Sequence, residues 1–385
     1  MQFSAANYNV QEDCTFVTIT VNRAGDTSGP ASIDYKTSDV TATERKDYIA
    51  AVGKLQFAPG ESSKSFAVLI NEDSFVEGNE NLNVTLSNPS GVSLGGQAVA
   101  TIAIIDDPTE PSTNAIDDPR NFVCENYHDF LNRQPDPAGW DFWTSQITNC
   151  SDPDPLVCRI NVSASFFLSI EYQNTGYLVE RTYKSAFGDA IGNSTFRGAH
   201  QLPVPIVRFS EFQTEFQSDT QQITKGVIVL QPGWERVLEL NKQAFFQDFV
   251  QRSRFTTAYP TAMTPAEFVD GMNQKAGNVL SPSERTTAIN LFGSAGNTTD
   301  VTARAQALRQ VAEDSTLQTA ESNRAFVLLE YLGYLRRNPN DPPDSDYSGF
   351  DFWLTKLIQF NGNYVDAEMV KAFLTSLEFR GRFGS

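Results

Sequence analysis

The sequence has 385 residues, of which 40% are hydrophobic and 28 are phenylalanine. This composition predicts two or three globular domains and excludes an intrinsically disordered chain. The 47 acidic residues outnumber the 29 basic ones, which gives a net charge of −18. Nucleic acid requires a basic face and anionic membranes repel acidic proteins, so we expect neither as a partner. No apolar run reaches the roughly 18 residues of a membrane span.

The first part of the chain, residues 1–107, has the pattern of an antiparallel β-sandwich. Hydrophobic and polar residues alternate at 17–21, 66–70 and 82–86, which places one face of each strand in a core. The turn sequences A-P-G-E-S-S-K and S-N-P-S-G separate such segments, as in a two-sheet sandwich. Residues 1–110 hold 15 acidic and 6 basic residues, so divalent cations are the expected ligands of this region.

Five segments of this region carry a more specific signal: F-S-A-A-N-Y-N-V-Q-E-D, Y-K-T-S-D-V-T-A-T, L-Q-F-A-P-G-E-S-S-K, V-E-G-N-E-N-L-N-V-T-L-S-N-P and A-T-I-A-I-I-D-D. Together they resemble a Calx-β domain, an all-β immunoglobulin-like sandwich. In that family, carboxylates from several loops hold calcium at one end of the sandwich. The resemblance implies Ca²⁺ as the cofactor and the following ligands: Glu12, Asp39, Asp47, Glu72, Asp73, Glu77, Asp106 and Asp107.

Coordination chemistry agrees with this resemblance, because calcium takes about six to eight oxygen ligands and acids distant in sequence must converge to supply them. Two features depart from the family pattern. Asn71 stands where calcium-sensing members carry an acid, and V-T-A-T-E-R-K fills a loop that usually contains glycine. The number of ions is therefore open, and the alternative is that the acids are solvated loop residues.

A linker rich in proline, aspartate and threonine is predicted at 108–120, and beyond it the hydrophobic period changes from 2 to 3.6. That change predicts an all-α region for the rest of the chain. The sequences T-P-A-E at 264–267 and S-P-S-E at 281–284 are typical of helix N-termini, with a hydroxyl cap, proline and an acid in the first turn.

The helical region contains an internal repeat. The segment 121–143 matches 325–353, and 162–172 matches 370–379. We predict module copies at 121–190 and 321–385, separated by a helical region at 191–320 that holds a degenerate middle copy. The copies resemble a helical bacterial domain of unknown function from secreted and surface proteins, which implies a location outside a bacterial cell or on its surface.

We interpret the shared positions of the two copies as structural. An arginine ends the first helix and binds a carboxylate across the turn, a glycine permits a close approach, and a tryptophan is buried. These positions are Arg133 with Asp136 and Arg337 with Asp346, then Gly139 and Gly349, and Trp143 and Trp353. A calcium loop is the weaker alternative for the second turn, with Asp341, Asp344, Asp346 and Asp351 as ligands.

The four cysteines predict one disulfide. Cys150 and Cys158 flank a polar S-D-P-D-P loop that can close as a disulfide, which favours export. Cys14 and Cys124 have no evident partner, and we expect Cys14 to be free and buried. The alternative is four reduced cysteines. Met1 leads into the first strand pattern without an apolar leader, which we interpret as an excised or mature segment.

The sequence contains no recognisable catalytic motif, and His128 lies among aromatic residues, as a packed or surface histidine does. We predict a non-enzymatic extracellular structural or adhesion protein in which calcium stiffens the joint between the two parts. Its partner would be a protein or glycan at the cell surface, or a second copy of the chain. The alternatives are a subunit of a bacterial surface filament or layer, and a glycan-binding module or carbohydrate-active enzyme that uses the helical half.

Overall fold

A computed structural model describes residues 1–107, 110 and 112–384. The predicted sandwich is confirmed. Its strands are β1 (Gln2–Phe3), β2 (Asn7–Gln11), β3 (Thr15–Asn22), β4 (Ala31–Asp39), β5 (Val52–Phe57), β6 (Ser63–Ile70), β7 (Glu80–Ser90) and β8 (Val99–Ile105). One sheet has the order β1-β3-β6 and the other the order β2-β8-β7-β4-β5. Strand β2 runs parallel to β8, and the remaining neighbours are antiparallel.

The core of the sandwich lies between the two sheets and follows the alternation of the sequence. Ile19 and Val68 from the smaller sheet and Ile33, Val84 and Ile102 from the larger one are fully buried. Because successive side chains of a strand point to opposite faces, the polar residues between them face solvent. The loops at one end of this core carry the acidic residues.

The second part of the chain is mainly helical. Its helices up to residue 258 are α1 (Pro119–Asn126), α2 (Pro137–Thr148), α3 (Pro155–Leu168), α4 (Ile170–Asn174), α5 (Gly176–Phe187), α6 (Phe209–Glu211), α7 (Gln217–Thr224), α8 (Trp234–Phe249) and α9 (Ser253–Ala258). Those that follow are α10 (Pro265–Lys275), α11 (Pro282–Asn290), α12 (Val301–Ala312), α13 (Ser315–Leu329), α14 (Ser348–Gln359), α15 (Met369–Leu374) and α16 (Leu377–Arg380). None of the described helices combines the length and apolar character that crossing a bilayer requires. The predicted starts of α10 and α11 are confirmed, since Thr264 and Ser281 form capping boxes with Glu267 and Glu284.

The expectation of an all-α region is wrong at one place, where the chain forms an antiparallel hairpin of β9 (Asp189–Ser194) and β10 (His200–Pro205). Two prolines at 203 and 205 cannot supply the N–H groups of a helix, but they are tolerated in a two-stranded ribbon with a free edge. The hairpin packs on α14, where the backbone N–H of Tyr347 donates to the Asn193 carbonyl at 2.8 Å.

The predicted linker is shorter than expected. Residues 108, 109 and 111 lie outside the described residues, whereas Ala115 and Ile116 are buried in a short 3₁₀ turn. Helix α1 begins at Pro119, because the side chain of Asp118 caps the N–H groups of Arg120 and Asn121. The end of the predicted linker is therefore part of the helical core.

The two predicted module copies make the same close contact between a tyrosine and a glycine. A Cβ atom on Gly139 would collide with the hydroxyl oxygen of Tyr127, and a Cβ atom on Gly349 would collide with that of Tyr331. In both segments a π-helical turn follows the first helix, at Tyr127–Leu131 and at Glu330–Tyr334. Only glycine fits where each tyrosine crosses the start of the next helix.

The two arginines bind distant glutamates rather than relying on the turn alone. Arg133 donates two hydrogen bonds of 2.8 Å to Glu171 and lies 3.6 Å from Asp136. Arg337 donates to both carboxylate oxygens of Glu378, at 2.7 and 3.1 Å. Such two-point contacts orient an arginine more strongly than a single ion pair does, so each arginine joins its turn to a later helix.

The expected Arg337–Asp346 pair is wrong, because Arg337 binds Asp344 at 2.9 Å. Asp346 accepts instead from the backbone N–H of Ser348 at 2.8 Å. Asp341 accepts from Asn338 and Asp351 accepts from Ser194. The four acids of the alternative calcium loop are thus each engaged by a different neighbour.

The tryptophans are less buried than expected. Trp143 and Trp353 are half-buried and pack against the helical core. Their rings lie 5.7 Å from Phe166 and 5.9 Å from Phe373 between centroids. Each indole therefore covers the core rather than filling it.

The sandwich and the helical half are joined by a disulfide between Cys14 and Cys124, so the expectation that Cys14 is free is wrong. The sequence could not reveal this pair, because its members are 110 residues apart and meet only when the two halves pack together. The predicted Cys150–Cys158 disulfide is confirmed. His128 is completely buried beside the interdomain disulfide.

Candidate metal centre

Three carboxylates from two loops, β4–β5 and β6–β7, meet at one end of the sandwich. Asp47 precedes β5, Asp73 follows β6, and Glu77 precedes β7. Their ligand oxygens all lie within 4.8 Å of one another. Asp47 and Asp73 are buried and Glu77 is exposed, so the group is open to solvent on one side.

Each of three acids forms its hydrogen bonds through only one of its two carboxylate oxygens. Asp47 Oδ2 accepts from the Thr43 backbone N–H at 2.6 Å, Asp73 Oδ1 accepts from the Phe75 N–H at 2.7 Å, and Asp106 Oδ2 accepts from the Gly78 N–H at 2.8 Å. These backbone donors fix the orientation of the carboxylates.

The second oxygen of each of these acids is buried without a hydrogen-bond partner. These atoms are Asp47 Oδ1, Asp73 Oδ2 and Asp106 Oδ1. An unsatisfied buried carboxylate oxygen costs free energy unless a cation or a donor meets it. An all-oxygen donor set of carboxylates suits a hard cation such as Ca²⁺, so the residues present fit the predicted ion.

Burial and mutual repulsion disfavour the ionised form of these acids. Burial raises the pKa of Asp73 to about 7, helped by the charges of Glu77 and Asp47. Burial likewise raises the pKa of Glu77, and Asp47 adds to the effect. Lys46 opposes both shifts and lies over the Phe75 ring at 5.1 Å. One lysine cannot neutralise the group, so a divalent cation would relieve most of the repulsion.

The cluster extends to the acids at the ends of β2 and β8. Burial raises the pKa of Glu12 to about 9, with contributions from Asp73, Asp106 and Glu72. Burial raises the pKa of Glu72 to about 8, and Asp107 is among the charges that add to it. Glu12, Glu72, Asp106 and Asp107 therefore interact electrostatically with one another and with the acids at the centre of the cluster.

Asp39 stands apart from the other predicted ligands. It is exposed, and its Oδ1 accepts hydrogen bonds from the Tyr48 hydroxyl and, at 2.9 Å, from the backbone N–H of Glu44. The structure therefore uses Asp39 to hold the loop that carries Asp47.

Two acids that the sequence reasoning missed belong to the cluster. Burial, followed by the neighbouring Asp47, raises the pKa of Glu80 to about 8. Burial and the charges of Asp107 and Asp106 raise the pKa of Glu110. The sequence does contain a signal for Glu80. It lies on the same strand face as residues 82, 84 and 86, which are buried, so its carboxyl group points to the core side of the sheet.

Comparisons with known proteins agree with the predicted sandwich family. The family model described as "Calx-beta domain" matches residues 1–108. The chain is 37% identical over 108 residues to "Sodium/calcium exchanger Calx" of Drosophila melanogaster, an alignment that covers 28% of this chain and 11% of the exchanger. It is 34% identical over 117 residues to "Extracellular matrix organizing protein FRAS1" of Mus musculus, covering 29% of this chain and 3% of that protein.

Among solved structures, the apo form of the Calx CBD1 domain is 36% identical to this chain. The match covers 28% of this chain and 95% of that domain, with a TM-score of 0.27. The chain thus spans small fractions of the full-length relatives, and the family match concerns the sandwich.

Proposed function

We propose that the Calx-beta domain at residues 1–108 binds Ca²⁺ through its buried acidic end. The observation that carries this proposal is the set of three buried carboxylate oxygens without partners, on Asp47, Asp73 and Asp106. These residues, with Glu77 and Glu12, would hold the ion. The ion supplies positive charge that removes the repulsion among the acids and ties together loops that are distant in sequence.

The calcium proposal is tested by isothermal titration of the whole chain with CaCl₂, and by melting curves in chelator and in calcium. We expect heat of binding, a higher melting temperature with calcium, and a weaker effect in the Asp106→Asn variant. Asp34→Asn serves as a matched control, because Asp34 lies on β4 and pairs with Lys54 at 3.7 Å. If neither heat of binding nor a change in melting temperature were seen, the calcium proposal would be wrong and the acids would be solvated loop residues.

Two module copies in the helical half act as a rigid scaffold, and the recurring contacts support this. The Tyr127–Gly139 approach recurs at Tyr331–Gly349. The two-point contact of Arg133 with a glutamate likewise recurs at Arg337. These contacts are interior ones that fix helix positions, and they leave the tryptophans packed on the core rather than displayed for a glycan.

We propose further that the helical scaffold carries no catalytic site. Among the described residues, Ser194, Asp351 and His200 lie together: Ser194 Oγ donates to Asp351 at 2.7 Å, and His200 Nε2 lies 3.1 Å from the same oxygen. The aspartate stands between the other two residues, whereas a nucleophilic serine needs the histidine next to it. We propose a structural or adhesion protein whose partner is a protein or glycan at a cell surface.

The protein works outside the cell. Support comes from its two disulfides, since such bonds persist in oxidising compartments, and from the similarity of the sandwich to an extracellular matrix organizing protein. Peptide mapping without reductant tests the location, with protein taken from the surface or medium of its native cell. We expect Cys14 linked to Cys124 and Cys150 linked to Cys158, and four free thiols in that material would contradict the proposal.

A further inference from the structure

The acid-bearing loop after β6 is fixed by the helical half of the chain. Asn71 Oδ1 lies 3.2 Å from Nδ1 of the buried His128. The backbone N–H of Ser74 donates to the carbonyl of Phe383 at 3.1 Å, and its hydroxyl donates to the carbonyl of Thr113 at 2.8 Å. Glu72 and Asp73 lie between these two anchors, so their backbone positions depend on contacts outside the sandwich.

The loop after β2 is fixed in the same way. Glu12 is two residues before Cys14, whose sulfur is bonded to Cys124 on α1. The side-chain amide of Gln134 donates to the carbonyl of Cys14 at 3.0 Å. A covalent bond and a hydrogen bond from the helical half therefore hold the chain beside Glu12.

The loop between β4 and β5 makes a third contact of this kind. Arg382 Nε donates to the carbonyl of Arg45 at 2.8 Å, two residues before Asp47. The guanidinium is itself held by Asp129 at 2.8 and 3.0 Å and by the carbonyl of Tyr334 at 3.0 Å. Arg382 is 2% exposed, so this contact is a buried one.

We infer that the helical half supplies positioning residues for the calcium site, and that the Cys14–Cys124 disulfide is the principal one. The inference rests on the proposed calcium function. Calcium affinity depends on how far the ligands are organised before the ion arrives, and ordering free loops costs conformational entropy. Three of the loops that must converge are held in place by residues of the helical half that are not among the proposed ligands.

The test compares calcium affinity in the whole chain with each disulfide removed in turn. Cys14→Ala combined with Cys124→Ala removes the bond beside the acids. Cys150→Ala combined with Cys158→Ala is the matched control, because that bond spans only 8 residues at a separate place. Loss of outer-shell support lowers metal affinity by about 10- to 100-fold, so we expect the dissociation constant to rise about tenfold or more in the first variant and to stay unchanged in the control.

Exchange of the backbone amide hydrogens at residues 71–77, measured in the absence of calcium, gives a second readout. We expect faster exchange when the Cys14–Cys124 bond is removed and no change in the control. Gln134→Met is the milder variant should the double substitution disturb folding. It keeps the side-chain length and removes the donor to the Cys14 carbonyl together with the Oε1 contact to His128 Nε2 at 3.0 Å, so we expect a smaller rise in the dissociation constant.

The outcomes separate the two proposals. Equal calcium affinity in all variants, with unchanged exchange at 71–77, overturns the positioning role and leaves calcium binding intact. A wild-type chain that binds no calcium removes the proposed function, and the positioning role fails with it. Weaker binding in the Cys14 and Cys124 variant, with unchanged binding in the Cys150 and Cys158 control, supports both.

Discussion

Replacing one buried ligand by its amide should stabilise the protein without calcium and destabilise it with calcium. In Asp73→Asn, the remaining carbonyl oxygen still accepts from the Phe75 N–H, a bond of 2.7 Å in the native chain. The new amide N–H₂ takes the place of Oδ2, which is buried without a partner. Because the carboxylates of Asp47 and Glu77 lie close to Asp73, an amide donor at this position replaces charge repulsion by hydrogen bonds to those carboxylates.

The size of the effect follows from the raised pKa. Burial and the charges of Glu77 and Asp47 raise the pKa of Asp73 from 3.8 to about 7, which corresponds to at most about 4 kcal/mol. Solvent at the open side and relaxation of the loops reduce this, so we expect about 2 kcal/mol. The protonated carboxyl is favoured in the folded state, so its stabilisation is complete below pH 4 and is lost as the pH rises through 7. The gain from Asp73→Asn should therefore be largest near pH 8 and vanish near pH 4.

Calcium should reverse the order of stability. At a free concentration of about 100 times the dissociation constant, the ion stabilises the wild type by about 2.7 kcal/mol. A tenfold weaker site gains about 1.4 kcal/mol less, and loss of a charged ligand weakens it further. In chelator the wild type is about 2 kcal/mol less stable than the variant. The order of stability therefore reverses only if the substitution lowers calcium affinity by more than about 40-fold.

Melting curves at pH 8 in chelator and in excess calcium measure both effects, with roughly 2–4 °C expected for each kcal/mol. Asp34→Asn is the control, because it removes a carboxylate from the same domain but outside the cluster. It should change the melting temperature equally with and without calcium. If Asp73→Asn were less stable than the wild type in chelator, the premise that the ion-free acids repel one another would be refuted.

Three further predictions concern pH and packing. The increase in melting temperature caused by calcium should grow between pH 5 and pH 9. Burial and neighbouring acids raise the pKa of Glu12 to about 9 and that of Glu72 to about 8, so protons compete with the ion at lower pH. A calcium affinity that does not change with pH in calorimetric titrations would contradict this. Gly139→Ala should lower the free energy of unfolding in denaturant titrations, since its Cβ would collide with the Tyr127 hydroxyl, and combining it with Tyr127→Phe should restore much of the loss. Trp353→Ala should cost about 2–3 kcal/mol in the same titrations, less than the 3–5 kcal/mol typical of a fully buried aromatic, because its ring is half-buried; an unchanged stability would show that the indole does not support the core.

The sequence by itself determined the features that depend on neighbouring residues. Alternation at 17–21 and 82–86 predicted strands that the structure contains. Thr264 and Ser281 marked helix starts that are capped as expected, and the short spacing of Cys150 and Cys158 predicted their bond. Periodicity, capping and short loops act over a few residues, so their consequences can be read locally.

Only the tertiary structure decided which distant groups meet. It separated Asp39 from the acidic cluster, and it joined Cys14 to Cys124. These outcomes depend on which loop ends share one edge of the sandwich and on how the helical half packs against it. No local pattern encodes those distances, because they arise when long loops close. The conformational entropy lost on closure is offset by packing elsewhere in the fold.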